Sequence, residues 1–79
     1  MKQKRTCYAI IDKQALEFVT VRGELVDSLY DEDMPVQFFD YLIGCKEYME
    51  TLDEPSKYNV ARIDMVFNIS VLKDGKENG

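Results

Sequence analysis

Apolar and polar residues alternate most cleanly near the end of the chain, where Ile63, Met65, Phe67, Ile69 and Val71 are interleaved with Arg62, Asp64, Val66, Asn68 and Ser70. A period of two is the pattern of a strand with one covered face. The predicted strand runs from Val60 to Leu72 and, at ~3.3 Å per residue, would reach ~40 Å, against a radius of gyration of ~12 Å for a compact chain of this length. It must bend or overhang the body.

Two earlier β-rich runs, Thr6 to Asp12 and Ala15 to Arg22, meet at Lys13-Gln14 and read as a hairpin. The second run puts Leu16, Phe18 and Thr20 on one face and Glu17, Val19 and Val21 on the other, so both faces are partly apolar and the strand is expected to be central. Arg22-Gly23-Glu24 makes another tight turn, and Leu25 to Tyr30 completes a three-strand meander before an acidic loop at Asp31 to Met34.

The period then changes. Pro35 suits the first turn of a helix, where its missing N–H costs nothing, and Asp31, Glu32 and Asp33 lie where the helix dipole is positive. Phe38, Leu42, Cys45, Met49 and Leu52 recur at steps of three and four, which predicts a helix from Pro35 to about Leu52, with Tyr41 and Tyr48 along the edge of its core stripe. Pro55 marks the stop, and Gly44 weakens the interior by ~1 kcal/mol relative to Ala.

The order strand, strand, strand, helix, strand is α+β: a three-strand antiparallel meander, one helix packed on one sheet face, and a long C-terminal strand completing the sheet. If that strand joins the first by a right-handed crossover, the sheet is mixed and its outline resembles a β-grasp. Seventy-nine residues suit a single domain with one small core. Its folded body is expected over about residues 4–73, followed by a flexible polar tail at 74–79.

Charge is segregated along the chain. Glu24 to Glu54 holds ten acids and one base, Lys46, whereas residues 1–23 hold five Lys/Arg and two acids and residues 55–79 hold four and three. The net charge of −5 is therefore concentrated in the middle of the chain. No apolar run approaches the ~20 residues a membrane helix needs, and the basic start Met-Lys-Gln-Lys-Arg precedes too short an apolar stretch for a signal peptide, so a soluble, cytoplasmic protein with no membrane contact is expected. Cys7 and Cys45 have no metal-type spacing and the chain has no His, so both read as small buried apolar residues, not zinc ligands. Asn68-Ile-Ser70 matches a glycosylation sequon but falls within the last predicted strand.

The sequence offers no catalytic pattern. Ser28, Ser56 and Ser70 have no base beside them in sequence, and no glycine-rich phosphate loop is formed by Gly23, Gly44, Gly75 or Gly79. Asp31 and Asp33 lack the spacing, glycine and distal Glu of a calcium loop. The expected protein is non-enzymatic, with no cofactor and no metal. Lys2, Lys4 and Arg5 read as a solubilising arm, so no direct contact with nucleic acid is expected.

A second face of the predicted helix is the candidate binding surface. Val36, Phe39 and Ile43 project away from the core stripe among Asp40, Glu47, Glu50 and Glu54, with Asp31, Glu32 and Asp33 just upstream. Apolar anchors inside a charged rim are the anatomy of a binding hot spot, and an acidic rim speeds encounter with a basic partner. The expected function is that of an inhibitor or adaptor occupying a basic protein surface, one that otherwise holds nucleic acid being the clearest example. In size, charge and lack of catalytic groups the chain resembles small phage-encoded proteins that neutralise host nucleases, including DNA mimics and anti-CRISPR inhibitors. That resemblance implies a nuclease or other nucleic-acid-binding protein as partner. The alternative is a homodimer paired through the long last strand, or through an outer sheet face bearing Tyr8, Ile10, Val19, Val21 and Val66. A third reading places a small ligand in a cavity near Tyr41 and Tyr48.

Overall fold

The computed structural model describes residues 1–30, 33–73 and 75. Asp31 and Glu32 of the acidic loop, and the expected tail at 74–79 apart from Gly75, lie outside the described residues. In chain order the elements are β1 (Lys2–Asp12), β2 (Phe18–Val19), β3 (Leu25–Val26), α1 (Leu42–Glu50), a 3-10 turn (Pro55–Lys57) and β4 (Tyr58–Asn68). They build a four-stranded sheet in the order β3-β2-β1-β4, with α1 packed on it. The α+β architecture, the meander, the helix on the sheet and a long last strand are present, but the last strand covers Tyr58–Asn68 and not Val60 to Leu72, and the first begins at Lys2 and not at Thr6.

Every neighbouring pair in the sheet is antiparallel, so the expected mixed sheet and β-grasp outline do not form. The segment between β3 and β4 brings the chain back to the end of the sheet where β3 finishes, and β4 therefore starts opposite Asp12 and runs down against β1. A parallel last strand would have had to start at the opposite end, beside Lys2.

The first hairpin is held by one carboxylate. Asp12 accepts the Ala15 N–H at 2.9 Å and the Glu17 N–H at 2.7 Å, which keeps its pKa below the ordinary value through those backbone hydrogen bonds. Leu16 takes up the left-handed backbone angle (φ 57°) that closes the turn. The next turn is closed by Thr20, whose buried hydroxyl accepts the Glu24 N–H at 3.0 Å while Gly23 supplies φ 81°.

Beyond these turns the chain departs from the expected spans. β2 and β3 are two residues each, because the stretch from Pro35 to Phe39 inserts as an extended strap where the longer strands would have paired. Phe39 exchanges both backbone bonds with Tyr8 at 2.8 Å, Gln37 donates to the Val19 carbonyl at 3.1 Å, and Val21 donates to the Pro35 carbonyl at 3.0 Å. These bonds commit the strap to extended backbone, so the helix begins at Leu42 and not at Pro35. Its N-cap, Tyr41, makes no side-chain cap bond, and no acid lies in the first turn. At the other end Thr51 caps α1 with a 2.6 Å bond from its hydroxyl to the Tyr48 carbonyl.

β1 is packed on both faces, which is why Cys7, Ala9 and Ile10 are all buried. On one side Ala9, Val26 and Val36 pack with Phe18, Leu29, Met34 and Ile63. On the other, Ile10, Val19 and Cys45 pack with Phe39, Tyr48, Met49 and Leu52 beneath the helix. Burial raises the Cys45 thiol to about 11 and pushes Cys7 up as well, so both remain protonated, unpaired thiols at neutral pH. Tyr8, Ile10 and Val19 belong to this covered layer, so of the expected outer face only Val21 and Val66 are exposed.

The β1–β4 ladder runs through eleven registered pairs, from Lys2 opposite Asn68 to Asp12 opposite Tyr58, and outruns the body. Its far end forms a two-stranded arm. The molecule measures 52 × 25 × 18 Å with a radius of gyration of 16.0 Å, so the overhang anticipated from strand length is present.

Candidate binding surface

The strap determines which side chains reach the surface. With Phe39 pinned to Tyr8 and its ring 5.3 Å from that of Tyr48, the next residues turn outward. Asp40 meets Arg5 of the arm in a 2.7 Å ion pair between exposed side chains, and the hydrogen bond and charge of Asp40 raise the Arg5 pKa further. Tyr41 is 77% exposed, Leu42 41% and Ile43 69%, three consecutive large side chains at the start of the helix.

Helical spacing arranges the remainder. Cys45, Tyr48 and Met49 turn into the core, which leaves Ile43, Glu47 and Glu50 at steps of four and three along the outer side. Glu54 follows, exposed, in a 2.7 Å pair with Lys57 that raises the lysine pKa. The result is an apolar corner at the helix start continued by a line of carboxylates.

Of the residues expected to bind, Asp33, Asp40, Ile43, Glu47, Glu50 and Glu54 are exposed, whereas Asp31 and Glu32 are outside the described residues. Val36 is 3% exposed and Phe39 is half-buried, both within the core, so neither contributes an anchor. Their places are taken by Tyr41 and Leu42, which helical spacing counted from Pro35 assigns to the core side. Tyr41 and Tyr48 do not share a cavity, since one faces solvent and the other packs against Phe39.

A second apolar feature escaped the sequence pattern. Cys7, Leu29, Tyr30, Phe38, Met65 and Phe67 line a groove of about 260 Å³ at the root of the arm, on the sheet face opposite α1. The signal for it was the pairing of Gln3 with Phe67 and Arg5 with Met65, visible only once the β1–β4 register is known.

Among the described residues no group of three or more His, Cys, Asp or Glu side chains is placed to hold a metal ion. No helix among them is long and apolar enough to cross a membrane. No protein-family model matches the chain, and searches of curated proteins and of solved structures likewise find no match.

Proposed function

We propose that the chain is a non-enzymatic protein-binding module, an inhibitor or adaptor that docks the start of α1 and its carboxylate line on a basic surface of a partner protein. The observation that carries this reading is the run Tyr41-Leu42-Ile43, exposed together and bordered by Asp40, Glu47 and Glu50. Isolated exposed apolar residues are ordinary, but three in sequence on one helix corner form a contiguous patch that solvent does not favour. The carboxylates would steer encounter while Tyr41 and Ile43 bury in the complex. A nucleic-acid-binding protein, nucleases included, has a basic surface of the required kind. Two buried free thiols support a reducing compartment such as the cytoplasm.

The test is affinity capture with the wild-type chain, followed by kinetics on the captured protein at two ionic strengths. Glu47→Lys/Glu50→Lys should slow association and flatten its salt dependence, whereas Tyr41→Ala/Ile43→Ala should chiefly speed dissociation. All four side chains are exposed, so stability should move by no more than ~0.5 kcal/mol. Unchanged binding by the folded quadruple variant would overturn the reading. A second reading, self-association, is favoured by a different part of the molecule, the open edge of β4.

A further inference from the structure

Among the described residues β4 has a neighbour on one side only. Backbone parity tells which of its groups are open. Tyr8 and Asp12 give their N–H groups to Phe39 and Glu17, away from β4, so the odd-numbered residues of β1 face β4. Cys7 stands opposite Ile63, so the odd-numbered residues of β4 bond to β1. The N–H and C=O groups of Tyr58, Val60, Arg62, Asp64, Val66 and Asn68 therefore point outward. This edge is 11 residues long and contains no proline, which makes it a template for another strand.

We propose that the strand it receives is β4 of a second copy, antiparallel, about a two-fold axis passing between the two Ile63 residues. Ile63 is the midpoint of Tyr58–Asn68, so this register pairs the whole edge with none left over. It sets even-numbered residues opposite even-numbered ones, as the open backbone groups require.

Charge selects the same register. Arg62 and Asp64 lie 3.1 Å apart on one face of β4, both exposed, and the two-fold axis places Arg62 opposite the partner's Asp64 and Asp64 opposite the partner's Arg62. Sliding by two residues in one direction would oppose Arg62 to the partner's Arg62; sliding in the other would oppose the two Asp64 residues. Like charges directly opposite are unfavourable, so both neighbouring registers are penalised.

Shape and long-range charge agree. The register lays each overhanging arm beside the partner's Tyr58–Val60 end, setting exposed Val66 against the partner's Val60. Lys4 pairs with Val66, on the face where α1 packs over Val60, so the basic arm comes to the side of the sheet that carries the partner's acidic helix. The β4 strand of the overhanging ribbon thus gains a second neighbour within a continuous eight-stranded sheet that has both helices on one side. This surface is distinct from the start of α1, so either proposal can fail alone.

Light scattering and sedimentation over a concentration series test it. Wild type should approach the dimer mass as concentration rises through the micromolar range. Arg62→Glu and Asp64→Lys, each alone, should raise the dissociation constant at least about tenfold, the equivalent of about 1.4 kcal/mol. An equimolar mixture of these two variants should restore the dimer, because the glutamate introduced in one chain then faces the lysine introduced in the other, and the Asp64 kept by the first faces the Arg62 kept by the second. Val66→Pro, which removes an outward N–H that β1 does not use, should also give monomers. Wild type that stays monomeric to millimolar concentration would overturn the proposal. So would a dimer indifferent to the single reversals, or a mixture that stays monomeric.

Discussion

Phe39 and Leu42 exchange the parts that helical spacing assigns them. Counted as one helix from Pro35, Leu42 falls at the centre of the core stripe and Phe39 off it; in the structure Phe39 packs with Ile10, Val19 and Cys45 while Leu42 is 41% exposed. A strap that ends at Phe39 and a helix that starts at Leu42 do not share one rotation, so positions three residues apart across the junction need not share a face. Phe39→Ala should therefore cost ~2–4 kcal/mol by loss of transfer energy and creation of a cavity next to Tyr48. Leu42→Ala should cost less than ~1 kcal/mol. Urea denaturation of the two variants checks the contrast, and a larger loss for Leu42→Ala would contradict the burial of Phe39.

At the scale of elements, the Thr6–Asp12 part of β1, most of β4, the last turns of the helix and the position of the first hairpin were legible because each depends on residues near in sequence. Lys2 to Arg5, which read as a solubilising arm, are instead strand because they pair with Met65 to Asn68, distant in sequence. Strict alternation marks β4, and Cys45, Met49 and Leu52 mark the helix face. The strap was not legible, since Pro35 is equally at home at the start of a helix and in extended chain, and its partners at Tyr8 and Val19 are distant in sequence. For the same reason the corner formed by Tyr41 and Leu42 could not be read as surface, although Ile43, Glu47 and Glu50 could. Amide exchange separates the alternatives: Gln37 and Phe39 should be protected and Phe38 and Asp40 fast, whereas a helix from Pro35 would protect Phe39 and Asp40 alike. The hairpin carries its own pH signature. The Asp12 pKa is lowered in the folded state, so its contribution is fully present above the unfolded value of ~3.9 and is lost as pH falls through the lower folded value. Asp12→Asn should lower the denaturation midpoint at neutral pH and flatten its fall below about pH 4, where the wild type loses the same turn.

At the scale of the molecule, an 11-residue ladder is combined with a core too small to cover it. The two packed layers on β1 account for the half of the ladder near Asp12, and the half near Lys2 extends beyond them. Charge follows the same division. Lys2, Lys4 and Arg5 lie on the arm, whereas Glu47, Glu50 and Glu54 lie on and after the helix, and Arg5–Asp40 is the ion pair that ties the arm to the start of that acidic region. A two-stranded ribbon is only marginally stable by itself, so the monomer should keep its extended outline only while cross-strand pairs such as Lys4–Val66 and Thr6–Asp64 persist. The Thr6 hydroxyl donates to Asp64 at 2.8 Å, and this bond is the main cause of the lowered Asp64 pKa. Small-angle scattering of the monomeric Arg62→Glu variant should therefore give a radius of gyration near the 16.0 Å of the structure, well above the ~12 Å of a globule of this length. A value close to that of the globule would mean that the arm folds back on its own body, and would remove the overhang on which strand pairing between copies depends.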